Sequence, residues 1–216
     1  MNFPLDVPAA EIRPAASLSP DPGRDLAAVV AGKADGRVVV IGREDLTAKS
    51  MVSSDAGVSY SAESVVPSGP PALGVVGLRT DFDLDNGSEA IYALLIVGDP
   101  GGDLGLQLVR SDDFGLSWGT PSDVVRHGDD THGVDDARLS ANSGGVVAVM
   151  YREARGGDPY IRVSSDSGQT WSARVRLNTA VADGGGTLGA PFFVEVDASG
   201  VIHAAFVQDS GIGRRV

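Results

Sequence analysis

The chain has no cysteine. Disulfides, thiolate metal sites and cysteine nucleophiles are therefore excluded, while the compartment stays open. No run of about 18 apolar residues occurs, so no segment is long enough to span a membrane as a helix. The first 14 residues lack a basic region followed by an apolar core, and no signal peptide is read there. Basic residues are scarce, 17 against 29 acidic ones, for a net charge of −12. Such a surface repels phosphate backbones and anionic lipid, which argues against nucleic-acid and membrane-surface partners. No long window carries an apolar period of 3.6 residues.

What the chain does have is glycine, 29 residues in 216, much of it in turn-like clusters. Between the clusters lie short runs rich in Val, Ala and Leu. That combination predicts an all-β protein.

Three segments align without gaps: Ser53-Ser54-Asp55-Ala56-Gly57-Val58-Ser59-Tyr60, Ser111-Asp112-Asp113-Phe114-Gly115-Leu116-Ser117-Trp118 and Ser164-Ser165-Asp166-Ser167-Gly168-Gln169-Thr170-Trp171. The shared pattern, S-x-D-x-G-x-[ST]-[WY], is called the box below. Its aspartates recur 58 and 53 residues apart. Upstream of each box lie two apolar runs joined by a turn, at 25–32 and 37–43, at 72–80 and 90–98, and at 136–141 and 146–152. A fourth pair occupies 191–197 and 201–208. With a short strand into the box and another out of it, each unit has four strands. Such a unit is a propeller blade, which buries its faces only by stacking on neighbours.

The box has a structural job. Asp55, Asp113 and Asp166 can accept turn N–H groups. Gly57, Gly115 and Gly168 supply a positive φ. Tyr60, Trp118 and Trp171 can pack between sheets.

These segments resemble the Asp-box (bacterial neuraminidase repeat) family of sialidase-like β-propellers, over residues 25–216. The resemblance implies four-stranded antiparallel blades at about 25–70, 71–134, 135–189 and 190–216, the last incomplete, after an N-terminal extension or ring-closing strand at 1–24. About three and a half blades are thus expected, the N-terminal part of a six-bladed parent. Two alternatives are closure as four blades, with residues 1–18 supplying an outer strand, and completion by another chain. Open blade edges would promote self-association.

The resemblance also implies a glycan-directed exo-glycosidase of sialidase type, outside the cell or at its surface, with a carbohydrate partner. The alternatives are a non-catalytic propeller acting as a binding or scaffold module and a two-carboxylate glycosidase for neutral polysaccharide. In the family the ligand face lies opposite the boxes. Candidates on that face are Arg43, His132, Asp136, Arg138 and Arg152. Guanidinium binds carboxylate through two parallel bonds, which suits an acidic sugar. The family's Phe/Tyr-Arg-Ile-Pro motif is absent, Ile41-Gly42-Arg43 being the nearest text, so no catalytic residue carries over.

Two metal readings arise. His127 and His132 stand among Asp129, Asp130, Asp135 and Asp136, at a spacing that matches no zinc signature. Asp81, Asp83 and Asp85, read at the second inner-hairpin turn, place alternate carboxylates where a calcium ion or plain solvent would satisfy them. No other cofactor is expected. His203, between Ile202 and Ala204, reads as a strand residue.

Overall fold

The computed structural model describes residues 29–32, 35–69, 74–82, 90–98, 104–126, 133–154, 157–178 and 188–208. They form an all-β array of three four-stranded sheets and one two-stranded sheet. The first sheet contains β1 (Val29–Gly32), β2 (Val38–Glu44), β3 (Thr47–Ser53) and β4 (Ser64–Val66). The second contains β5 (Gly74–Phe82), β6 (Ile91–Gly98), β7 (Leu104–Ser111) and β8 (Ser122–Val125). The third contains β9 (Val134–Ala141), β10 (Val147–Glu153), β11 (Pro159–Ser164) and β12 (Val175–Arg176), and the last pairs β13 (Leu188–Val196) with β14 (Ile202–Gln208). Neighbouring strands are consecutive in sequence and antiparallel throughout. This is the blade of a β-propeller, with β1, β5, β9 and β13 as inner strands.

The second strand of each blade shows why the blades must stack. Side chains alternate across a strand, and β6 is apolar on both faces. Ile91, Ala93, Leu95 and Val97 join Val39, Ile41 and Ala48 of the first sheet in one core. Tyr92, Leu94 and Ile96 join Val147, Val149 and Tyr151 of the third sheet in another. Ala148 and Met150, on the opposite face of β10, pack with Phe192, Val194 and Val196.

The box turns stand between the third and fourth strands, and each carries the same bonds. In the first, Asp55 Oδ1 accepts the Ser59 N–H at 2.8 Å, and Asp55 Oδ2 accepts the Ser59 hydroxyl at 2.6 Å. The Ser53 hydroxyl donates to Asp55 Oδ1 and accepts the Gly57 N–H. Asp113 and Asp166 repeat these bonds with Ser111 and Ser117, and with Ser164 and Thr170. Two successive residues of each turn have positive φ: Ala56 and Gly57, Phe114 and Gly115, Ser167 and Gly168. The Ala56 N–H donates to Gly36 O, and the Ser167 N–H to Gly145 O. Each of these two boxes therefore sits on the inner-hairpin turn of its own blade, which fixes one end of the array as the box end.

One boundary differs from expectation. Asp81 lies within β5, opposite Tyr92, because the ladder runs on to the Phe82–Ile91 pair. The acidic run therefore begins inside a strand instead of at the turn, and Asp83 and Asp85 lie outside the described residues.

Candidate functional site

The inner strands bring three charged side chains together. Asp136 Oδ1 accepts Arg79 Nη2 at 2.8 Å from the neighbouring blade, Arg138 Nη1 at 2.7 Å from its own strand, and the Ala137 N–H at 2.9 Å. Period-2 alternation explains the arrangement. Ala137 turns into the core toward the second sheet, so Asp136 and Arg138 share the other face of β9. Arg79 opposes Leu94 in its ladder and Arg138 opposes Met150 in the next, which is the same place in the repeat. Each arginine also donates Nη1 to the carbonyl of the residue before it, Leu78 or Ala137, at 2.8 Å.

The Arg138 guanidinium carbon lies 4.7 Å from the centroid of the buried Phe192 ring, on the next inner strand. This geometry suits a cation–π contact. The cluster thus runs across three inner strands.

Electrostatics set the charge state. Burial pushes the Asp136 carboxyl upward, and the Arg138 bond and charge, followed by those of Arg79, more than offset it, so its pKa lies below the ordinary carboxylate value. Asp136 is held ionised. The arginine side chains keep 39% and 31% of their exposure against 18% for Asp136, so guanidinium N–H groups still face solvent. Asp136 opposes Arg152 near the end of β10, at the end of the blade away from the boxes.

The other candidates are dispersed. Arg43 donates Nη1 to Val76 O at 2.5 Å, joining the first blade to the second instead of entering the cluster. Arg152 lies on β10, half-buried. His132, with His127, Asp129 and Asp130, lies outside the described residues. Among the described residues no group of three or more His, Asp or Glu could hold a metal ion. His203 is exposed on β14, 3.3 Å from Asp197 Oδ2.

A second polar cluster was not anticipated. Glu153, 7% exposed at its side chain, accepts Arg174 Nη1 at 3.0 Å. The Arg174 guanidinium carbon stands 4.7 Å from the Tyr160 ring centroid, and Tyr160 stacks on Tyr151 at 5.8 Å. Burial and then the Glu153 charge raise the Tyr160 pKa. Nearby, Asp158 Oδ1 accepts Arg176 and Asn178. Both arginines come from the outer edge of the blade, where Arg174 reaches the end of β10 and Arg176 the loop before β11.

Arg79, too, was not read as a candidate. Its signal was available in the repeat, where Leu78-Arg79 and Ala137-Arg138 occupy matching places on inner strands.

No protein-family model and no curated protein matches the chain. Solved structures do. The GH93 α-L-arabinofuranosidase of Fusarium graminearum, in complex with arabinobiose, superposes with a TM-score of 0.56 at 18% identity, covering 79% of this chain and 53% of that one. A protein of unknown function from Dyadobacter fermentans gives 0.54 at 18% identity, covering 86% and 61%. The α-L-arabinanase of Penicillium chrysogenum, complexed with arabinobiose, gives 0.51 at 13% identity, covering 86% and 62%. The chain spans less than two thirds of each of these structures. At these identities the likeness is one of fold, a β-propeller of four-stranded antiparallel sheets.

Proposed function

We propose that the chain belongs to a glycan-directed β-propeller of glycoside-hydrolase type, acting on chain ends outside the cell or at its surface. The observation that carries this is the Arg79–Asp136–Arg138 cluster. It joins successive inner strands, with both arginines mid-strand and Asp136 toward the end opposite the boxes, and keeps guanidinium donors open to solvent. Two fold neighbours, an arabinofuranosidase and an arabinanase, act on carbohydrate by their names. Arg79 and Arg138 would hold ligand oxygens, and Asp136 would hold both arginines in place.

The same cluster bears on mechanism. A general acid must be protonated at working pH, and Asp136 is held ionised by two guanidinium groups. Asp136 therefore fits a positioning or base role, and a proton donor would come from elsewhere in the ring. Sialidase-type recognition of an acidic sugar draws on the two arginines of the cluster, with Arg43 engaged at the blade joint. A second reading, a non-catalytic glycan-binding propeller, is favoured by the full engagement of Asp136 Oδ1, which accepts three donors.

The test pairs hydrolysis with binding. 4-Methylumbelliferyl glycosides of sialic acid, arabinofuranose and galactose are assayed, and arabinobiose binding is followed by NMR, for the wild type and for Arg79→Gln. Turnover that falls in R79Q supports the enzyme. Binding without turnover supports the second reading. Neither binding nor turnover, or either one unchanged in R79Q, removes the axial site.

A further inference from the structure

Consecutive boxes enclose a groove, and the two grooves among the described residues are built differently. The one between the first and second boxes is a cavity of about 400 Å³, lined in part by Arg37, Val52, Ser54, Tyr60, Phe114 and Leu116. Its counterpart between the second and third boxes holds about 210 Å³ and is lined in part by Arg110, Asp112, Ser167 and Gln169. Matching box positions are Val52 and Arg110, Ser54 and Asp112, Phe114 and Ser167, Leu116 and Gln169. At these four places the second groove carries polar side chains, two of them an ion pair, Arg110 Nη2 to Asp112 Oδ1 at 2.5 Å. The first is apolar at three of the same four places.

The contents of the first groove point to a ligand with one apolar face and a polar rim. Phe114 is 1% exposed and forms the floor, with the Arg37 guanidinium carbon 5.1 Å from its ring centroid. Leu116 is 54% exposed at the mouth, beside the Tyr60 ring. The Ser59 and Ser61 hydroxyls donate to Asp55 and to Ala62 O, leaving those of Ser54 and Tyr60 as the rim groups for a ligand. Arg37 is turned to Asp35 by an Nε bond of 2.8 Å, and Asp113 is held ionised, its box bonds outweighing the effect of burial. An anion would meet the Asp113 charge without a free cation to answer it. A cavity of this size takes a small ligand whose body lies on apolar side chains and whose few polar groups fix its orientation.

We infer that the groove between the first two boxes is a second, non-catalytic binding site for a neutral sugar ring, at the box end of the blades and separate from the inner-strand cluster. The C–H face of the ring lies on Tyr60 and Leu116, above the buried Phe114, and its hydroxyls meet Ser54 and the Tyr60 phenol. The choice of ligand class rests on the glycan-directed reading, and the groove itself rests on its own lining. Such a site would hold a polysaccharide at the box end of the blades.

Backbone amide NMR of the isotope-labelled chain tests this with arabinobiose, cellobiose and galactobiose as probes. Saturable shifts are expected at Tyr60, Phe114 and Leu116 for at least one of them, with a Kd on the order of millimolar. Ser54→Asp with Leu116→Gln installs the second groove's residues at two solvent-facing places. It should raise that Kd at least about tenfold and leave the remaining spectrum in place. Arg79→Gln should leave the groove shifts intact, so failure of the axial reading and failure of this one are distinguishable. The proposal is overturned by the absence of saturable groove shifts, by shifts that survive the double substitution, or by shifts with an N-acetyl-leucyl-leucine amide probe and none of the sugars.

Discussion

Trp118 donates its indole N–H to the Ser50 hydroxyl at 2.9 Å, and the same hydroxyl donates to Gly115 O at 2.7 Å. Ser50 belongs to the first blade and the other two residues to the second box, so one buried hydroxyl clasps a box to the preceding blade. The next joint repeats the clasp with Ser122, which donates to Gly168 O at 2.5 Å and accepts the Trp171 indole N–H at 3.3 Å. The serine has moved across the ladder: Ser50 opposes Ser64 in the first blade, and Ser122 opposes Leu108 in the second.

Ser50→Ala should therefore cost more than its single oxygen suggests. It leaves an indole N–H and a carbonyl without their partner in a buried joint, a loss of about 1–3 kcal/mol. Ser122→Ala, at a joint with a longer indole bond, should cost less. Urea unfolding of the two variants against the wild type gives the comparison, and an equal or reversed order would contradict it.

The box glycines should not tolerate a methyl group. Gly115 has φ +89°, and a Cβ there would stand 2.8 Å from a Val39 methyl. Gly168 has φ +85°, and a Cβ there would overlap Leu108 across the joint. Gly115→Ala and Gly168→Ala combine backbone strain with overpacking and should each destabilise by about 2–4 kcal/mol. Gly144→Ala, where φ is not positive, should cost less. Thermal unfolding of the three variants checks the ranking.

Acid should loosen the boxes. The side-chain bond from Ser59, followed by its backbone N–H, lowers the Asp55 pKa to about 2, and Thr170 does the same for Asp166. In the unfolded chain these groups titrate near roughly 3.9. Between those values the unfolded chain binds more protons than the folded one, so stability falls as pH drops from about 4 to about 2. Asp55→Asn and Asp166→Asn should each flatten that part of the curve. An unchanged slope in both variants would show that the carboxylates are not what titrates.

Asp136→Asn keeps the shape and removes the charge that two guanidinium groups face. The loss of charge-assisted bonds at a half-buried place should cost about 1–2 kcal/mol. It should also weaken glycan binding more than Arg43→Gln does, because Arg43 serves the joint between the first two blades. Denaturant unfolding with arabinobiose titration of both variants separates the two effects.

Much of the blade was legible. The box marks the turn between third and fourth strands, and paired apolar runs mark the inner two, because a strand buried on both faces reads as continuous Val, Leu and Ile. The rest depended on contacts that local pattern does not carry. Ala56, Phe114 and Ser167 take a positive φ that no preference of those residue types announces. Arg79 meets Asp136 across 57 positions of chain, and only the register of two inner strands brings them together. Arg43 shares its place in the repeat with Arg152, yet its Nη1 is taken by the carbonyl of Val76 on the inner strand of the next blade.

The most direct test of the axial site is titration of arabinobiose, and of sialyl-lactose as the acidic alternative, against wild type and Arg79→Gln by backbone amide NMR. The account predicts saturable shifts at Arg79, Asp136 and Arg138 for at least one sugar, weakened at least about tenfold in R79Q. Shifts confined to other parts of the chain, or a titration unchanged in R79Q, would contradict it.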